Sequence, residues 1–241
     1  REYVISEGME SLGIPTTRSL SVTATGESVL RSTPLPGAIL TRTAKSHIRV
    51  GTFQYAAALG DKENLSQLFV YTVDRHYPEL RNADDLPYAF FQAVLDRQAD
   101  LVSRWMLVGF VHGVMNTDNV SIAGETIDYG PCAFLDVYHP ETVFSSIDHQ
   151  GRYAFQNQPA ITQWNLARLA ESLVQVVPGN PEDAVGKFVE ILETFPSCYE
   201  KYFQTGANAK LGLTTMENED SAIYSDLLKI MEESQLDFTE T

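Results

Sequence analysis

Hydrophobic residues recur with different periods along this chain, and the change separates a short first block from a longer second one. Residues 3–12 carry apolar side chains at helical spacing, and Gly13 and Pro15 predict the end of that helix. The alternating stretches that follow predict three short strands, at 18–24, 28–32 and 38–43, separated by a turn at 25–27 and a break at 34–37. The first block is therefore predicted to be a small α+β unit.

After residue 44 the apolar spacing becomes helical. Ser46 is predicted to cap a helix that runs through residue 59, and Asp61 to cap the next one. The complete set of predicted helices in this block covers 46–59, 61–77, 84–110, 160–177, 181–204 and 220–236. We therefore predict an α+β fold in two domains: residues 1–44 form the remainder of a small β-rich lobe, and residues 45–241 form a mostly helical lobe.

Composition places the chain among ordinary globular proteins. Its 241 residues are 44% hydrophobic and 20% charged, and no apolar run is long enough to predict a transmembrane helix. The first residues read as the interior of an amphipathic helix, with neither an initiator Met nor a signal-peptide pattern. We therefore expect the chain to be a piece of a larger protein.

The charge balance limits the possible partners. A formal net charge of −15 argues against nucleic acid or a membrane surface as a general partner, because their phosphates would be repelled. A nucleotide can still bind where a few cations gather. Cys132 and Cys198 lack the spacing of a metal site, so we expect two thiols in a reducing compartment. A disulfide between them is the alternative that the sequence leaves open.

The strongest candidate chemistry lies between residues 111 and 130, which we predict to form a catalytic hairpin. Asp118 and Asn119 are adjacent there, and Asp128 follows nine residues after Asn119. Mg²⁺ on a nucleotide needs few protein ligands, so one carboxylate and one amide oxygen suffice. A second carboxylate can then accept a proton from an attacking hydroxyl. The alternative is a surface hairpin whose Asp and Asn side chains cap tight turns.

The same stretch has part of the protein-kinase pattern. His112 and Asn119 keep the kinase spacing of seven, and Asp128-Tyr129-Gly130 stands where kinases have Asp-Phe-Gly. The kinase base would fall at position 114, which is Val114 and cannot accept a proton. The pattern therefore favours a metal–nucleotide site over an ordinary kinase mechanism, and a small β-rich lobe before a helical one is a kinase-like layout.

Two arginines are candidate phosphate ligands. Arg42 lies at the end of a predicted strand and Arg49 in the first turn of a predicted helix. Guanidinium groups bind phosphate oxygens in pairs of hydrogen bonds, and a helix start also favours an anion. The alternative is two surface arginines in weak salt bridges. Glu2 invites comparison with the helix Glu of kinases, although spacing alone favours a surface role.

Six segments carry a resemblance that covers nearly the whole chain: residues 1–7, 12–18, 46–53, 112–119, 126–131 and 151–159, which read REYVISE, LGIPTTR, SHIRVGTF, HGVMNTDN, TIDYGP and GRYAFQNQP. In these segments the chain resembles the selenoprotein O family of pseudokinase-fold protein adenylyltransferases. The resemblance implies a kinase-like fold that binds ATP in inverted orientation and transfers AMP to Ser, Thr or Tyr hydroxyls of protein substrates.

The resemblance also implies roles for particular residues. Asp118 would be the proton acceptor, Asn119 and Asp128 would bind Mg²⁺ or Mn²⁺, and Arg42 and Arg49 would hold the ATP phosphates. Glu2 would match the helix Glu that pairs with a nucleotide-binding Lys. The family's segments with that Lys are absent from this sequence, so we expect this chain alone to bind ATP poorly and to be inactive. Family members occur in the bacterial cytoplasm and in mitochondria. We expect the bacterial cytoplasm for this chain, or mitochondria if it is eukaryotic.

Two alternatives stay open. One is an atypical kinase that uses Asp118 as its base, and the other is a non-catalytic pseudokinase that binds nucleotide as a scaffold. Val114 at the kinase base position disfavours the kinase. The three polar side chains at 118, 119 and 128 disfavour the scaffold, which does not need all of them.

Overall fold

The computed structural model describes residues 1–31, 33–214 and 220–241. Within those ranges it contains eight α-helices and four β-strands. In chain order they are α1 Glu2–Ser11, β1 Arg18–Leu30, β2 Pro34–Thr43, α2 Val50–Ala58, α3 Lys62–His76, α4 Leu86–Leu107, β3 Phe110–Val111, β4 Ala133–Phe134, α5 Gln158–Leu173, α6 Pro181–Leu192, α7 Phe195–Lys210 and α8 Asp220–Glu233. The predicted α+β class, with a small β-rich part before a helical part, is confirmed. The boundary at residue 44 stays a prediction.

The first block has two long strands where three short ones were predicted. β1 and β2 pair antiparallel, and the predicted turn at 25–27 is a register shift inside β1. Gly37 of β2 lies opposite that irregularity, where an added Cβ would come within 2.8 Å of the Thr25 hydroxyl. A glycine in the partner strand therefore lets the chain bulge without turning. Residue 32, the last of the predicted second strand, lies outside the described residues.

The start of α2 corrects the prediction that Ser46 is a helix cap. The helix begins only at Val50, and the Ser46 hydroxyl accepts a hydrogen bond from the Ile48 N–H. Arg49 is extended, and residues 48–50 pair with residues 120–122: Val50 N–H donates to Val120 O at 3.0 Å. That pairing delays the helix and places Arg49 at its N-cap position instead of in its first turn.

The other helix boundaries follow local sequence signals more closely. Asp61 caps α3 as predicted, since its side chain accepts from the Glu63 and Asn64 N–H groups. The predicted helix at 181–204 is two helices, α6 and α7. Pro196 lies in the first turn of α7, where its missing N–H costs nothing, whereas it would disrupt a helix interior.

Helix α4 passes through both main hydrophobic clusters and holds the helical part together. Its first half packs Phe90 and Phe91 among side chains of α2, α3, α5 and α6. Its second half packs Trp105 among side chains of α1, β3 and α8. Gly109, in the left-handed region at φ +67°, ends the helix and turns the chain into β3. No helix of the described residues is long and apolar enough to cross a membrane.

Candidate active site

Asp118, Asn119 and Asp128 lie on one long loop between β3 and β4. The two strands pair through only two residues each, Phe110 with Phe134 and Val111 with Ala133. The structure differs from the predicted bounds of the hairpin at 111–130, because the paired strands are 110–111 and 133–134 and residues 112–132 form the loop between them. A 3-10 turn at Thr117–Asn119 carries Asp118 and Asn119.

His112 holds the two halves of this loop together. Its ring is fully buried, and Nε2 lies 2.8 Å from the backbone oxygen of Ile127, the residue before Asp128. Burial lowers the pKa of His112, so the ring is neutral, and Nε2 must carry the proton because a carbonyl oxygen only accepts. His112, which keeps the kinase spacing to Asn119, therefore positions the loop through its hydrogen bond to Ile127.

Asp128 lies between two guanidinium groups. Its Oδ1 accepts from Arg42 Nη1 at 2.5 Å, and its Oδ2 accepts from Arg49 Nη2 at 3.0 Å. Burial opposes ionisation, but the hydrogen bonds from the two arginines outweigh it, so the pKa of Asp128 is lowered. The backbone of Asp128 adopts φ +63°, a conformation that Asp tolerates better than most residues.

Glu2 joins the same cluster from helix α1. Its Oε1 accepts from Arg42 Nη1 at 3.0 Å, so Arg42 bridges two carboxylates. Burial opposes the charged form of Arg42, but the contacts with Asp128 and Glu2 outweigh it and raise the pKa of Arg42. The structure thus brings Glu2, Arg42, Arg49 and Asp128 into direct contact from four separate segments.

Asp118 is exposed and lies against the start of α2. A Cβ built on Gly51 would overlap Oδ1 of Asp118 and lie 3.2 Å from its Cγ, so a larger residue at position 51 would displace the carboxylate. Asn119 donates from Nδ2 to the Val114 oxygen at 2.7 Å, which leaves its Oδ1 as the atom available to a ligand. The residues described contain no direct hydrogen bond between Asp128 and either Asp118 or Asn119.

The side-chain oxygen atoms of Asn119 and Asp128 suit a cation that also binds the phosphates of a nucleotide. In the described part of the chain, no three His, Cys, Asp or Glu side chains cluster closely enough to hold a metal alone. Asn119 and Asp128 offer one amide oxygen and one carboxylate, which are hard ligands suited to Mg²⁺ or Mn²⁺ when phosphates and waters complete the shell. Arg49 also keeps a buried Nε without a partner, which fits an anion beside it.

Comparison with known proteins identifies the family. The family model described as "Protein adenylyltransferase SelO" matches residues 1–241. This chain belongs to that family.

Bacterial proteins with similar sequences support this assignment to the family. The protein nucleotidyltransferase YdiU of Anoxybacillus flavithermus is 56% identical over 241 residues, which are 100% of this chain and 50% of that protein. The YdiU proteins of Syntrophotalea carbinolica and Bacillus cytotoxicus are 56% and 57% identical, over all of this chain and 49% of each relative. The chain thus spans about half the length of the curated relatives it matches.

Some positioning residues of this SelO-family chain were not predicted from its sequence. Gln158 accepts from the His112 N–H at 2.9 Å and donates to the Phe110 oxygen, while Asn165 donates to the Met115 oxygen. Both amides are buried in α5. The available signal was an amide at an inward position of an apolar helix, because a buried amide needs polar partners. No sequence pattern indicated that Gly51 leaves space for the Asp118 carboxylate.

Both cysteines are free thiols in the structure. Cys132 is buried and Cys198 is partly buried. Burial raises the pKa of Cys132 to about 11, so its thiol is protonated at neutral pH. The expectation of two unpaired thiols agrees with this arrangement.

Proposed function

We propose that this chain carries the catalytic loop of a protein adenylyltransferase, which transfers AMP from ATP to Ser, Thr or Tyr hydroxyls of proteins. The family description supports this activity. The observation that carries the proposal is the convergence of Arg42 and Arg49 on Asp128 in a chain of net charge −15. Two cations held together beside the Asp128 carboxylate form a local site for a nucleotide's phosphates, and Asn119 of the same loop would add an amide oxygen for the metal.

Arg42 and Arg49 are proposed to bind the ATP phosphates. In the structure Asp128 occupies both guanidinium groups, and phosphate oxygens would take its place with charge-assisted hydrogen bonds. The exchange releases the Asp128 oxygens for the cation. The unpartnered Nε of Arg49 provides a further donor.

Asp118 is proposed to accept the proton of the attacking hydroxyl. Its exposure lets a protein substrate reach it, and Gly51 leaves room for its carboxylate. Asn119 and Asp128 would hold Mg²⁺ or Mn²⁺, which when bound neutralises charge that develops on the phosphates. Val114 stands at the kinase base position but does not need to accept a proton, because Asp118 is the proposed proton acceptor.

The experiment compares ATP labelled at the α-phosphate with ATP labelled at the γ-phosphate, using the full-length protein and Mg²⁺. Protein-bound label from the α-phosphate but not from the γ-phosphate supports AMP transfer. Label from the γ-phosphate alone would refute the proposal in favour of an atypical kinase. Bound ATP without transfer of either label would leave a pseudokinase scaffold.

The proposed partners are ATP and protein substrates. The excess of negative charge argues against nucleic acid as a partner. Because the relatives compared are bacterial, we propose the bacterial cytoplasm as the location.

A further inference from the structure

Two arginines flank an exposed tryptophan on the surface beside the catalytic loop. Trp164, on α5, is 39% exposed. The guanidinium carbon of Arg152 lies 4.7 Å from the centre of a Trp164 ring, and that of Arg168 lies 5.2 Å from it. We call Arg152, Trp164 and Arg168 the Arg–Trp surface.

The Arg–Trp surface is unusual for a chain with 32 acidic and 17 basic residues. Arg152 has no ion pair with a carboxylate among the residues that the structure describes, whereas Arg168 pairs with Glu171 at 2.7 Å. Tryptophan and arginine are among the residues that contribute most to protein–protein binding. The surface therefore keeps positive charge available to a partner.

The backbone that carries Arg152 is fixed before any partner binds. Asp148 accepts hydrogen bonds from the N–H groups of Arg152 and Tyr153, at 2.9 and 2.7 Å. Asn157 donates from Nδ2 to the Gly151 oxygen at 2.8 Å, and Gly151 has φ +67°. Such preorganisation reduces the entropy lost on binding.

The elements that carry this surface also position the catalytic loop. Asn165, the residue after Trp164, donates to the backbone oxygen of Met115 at 2.9 Å, three residues before Asp118. Gln158, at the start of α5, holds the His112 N–H. A protein that binds the exposed side of α5 therefore contacts the same helix that holds the loop with Asp118 in place.

We propose that the Arg–Trp surface docks an acidic segment of the protein substrate. This inference rests on the proposed function, since it concerns the protein that would receive AMP. Carboxylates complement Arg152 and Arg168, and the ring of Trp164 offers apolar area between them. A short acidic segment suits this surface, because its few carboxylates can face Arg152 and Arg168, whereas a long negatively charged partner would also meet the acidic remainder of the chain.

The test measures binding separately from transfer. Two fluorescein-labelled peptides are made with the same central Ser, one flanked by Glu and the other by Lys. Fluorescence anisotropy with the full-length protein gives their affinities. We expect the Glu peptide to bind more tightly, and Arg152→Glu or Trp164→Ala to weaken it about tenfold.

Arg81→Glu is the matched control, because Arg81 is an exposed arginine between α3 and α4 whose partner is Asp74. It should leave the affinity for the Glu peptide unchanged, and thermal unfolding should show that all variants are folded. In AMP transfer, Arg152→Glu should raise KM for the Glu peptide and leave KM for ATP unchanged.

Equal affinity for both peptides, or variants that bind the Glu peptide within about twofold of the wild type, would overturn the docking proposal. If anisotropy shows the expected preference while no label is transferred, docking of the acidic segment stands and the proposed transferase activity fails.

Discussion

Gly51→Ala tests whether the position of the Asp118 carboxylate controls the proposed reaction. Gly51 lies in the first turn of α2 with an ordinary helical backbone, so alanine is compatible with the helix itself. Its methyl group would overlap Oδ1 of Asp118 and lie 3.2 Å from Cγ and 3.4 Å from Cα. The variant therefore moves the proposed base while its chemistry stays the same.

The size of the effect follows from this overlap. Relieving it requires the carboxylate to move by about 1 Å, and a displacement of that size can cost on the order of 100-fold in rate. Stability should change little or rise, because alanine is favoured over glycine in a helix by up to about 1 kcal/mol. We therefore expect a slow enzyme that is as stable as the wild type.

The assay measures transfer of label from the α-phosphate of ATP by the full-length protein, together with thermal unfolding. Gly186→Ala in α6 is the matched control, since a Cβ at Gly186 meets no atom within 4 Å. It should retain full activity. The ATP affinity of Gly51→Ala should also stay close to that of the wild type, because the contacts of Arg42 and Arg49 with Asp128 are not disturbed.

A Gly51→Ala variant with the same transfer rate as Gly186→Ala would refute this reasoning. It would mean either that Asp118 is not the base or that its carboxylate reaches the hydroxyl from more than one position. A loss of rate accompanied by a large loss of stability would instead indicate damage to α2.

Three further predictions concern the same site. Asp118→Asn should lower the transfer rate by about 10²–10⁴-fold while metal-dependent ATP binding remains, as measured by labelled transfer and calorimetry, and full activity would remove Asp118 from this role. The lowered pKa of Asp128 means that its ion pairs stabilise the fold above the carboxyl's ordinary pKa, near 3.8, and that this contribution is lost as the pH falls through the folded value. Chemical denaturation should therefore show a steeper loss of stability in acid for the wild type than for Asp128→Asn, and equal slopes would contradict the prediction. This chain expressed alone should bind ATP more weakly than the full-length protein, and calorimetry that gives equal affinities would show otherwise.

Local sequence signals predicted the helices well where the signal acts within a few residues. Asp61 caps α3 because its side chain reaches N–H groups only two and three residues away. The apolar stripe of α4 identified a helix that the structure places in both hydrophobic clusters, although Gly109 ends it earlier than predicted. Such interactions are local, so the sequence shows them directly.

The predictions failed where a distant segment decides the conformation. Ser46 looks like a helix cap, but residues 48–50 pair with residues 120–122 and delay α2 to Val50. The apparent turn at 25–27 is a bulge, because β2 continues to pair on both sides of it. The partner of residues 48–50 lies about seventy residues away and that of residues 25–27 lies in the next strand, and neither pairing is visible in a local pattern.

For the site, the sequence by itself identified Asp118, Asn119, Asp128, Arg42 and Arg49 as candidates, through residue type, spacing and family resemblance. It could not show that Arg42 and Arg49 converge on Asp128, which lies 86 and 79 residues away along the chain. Nor could it show that His112 and Gln158 brace the loop, or that Gly51 makes room for Asp118. Residue chemistry is encoded locally, whereas the distances that make it a site arise only when α1, β2, α2 and the loop pack together.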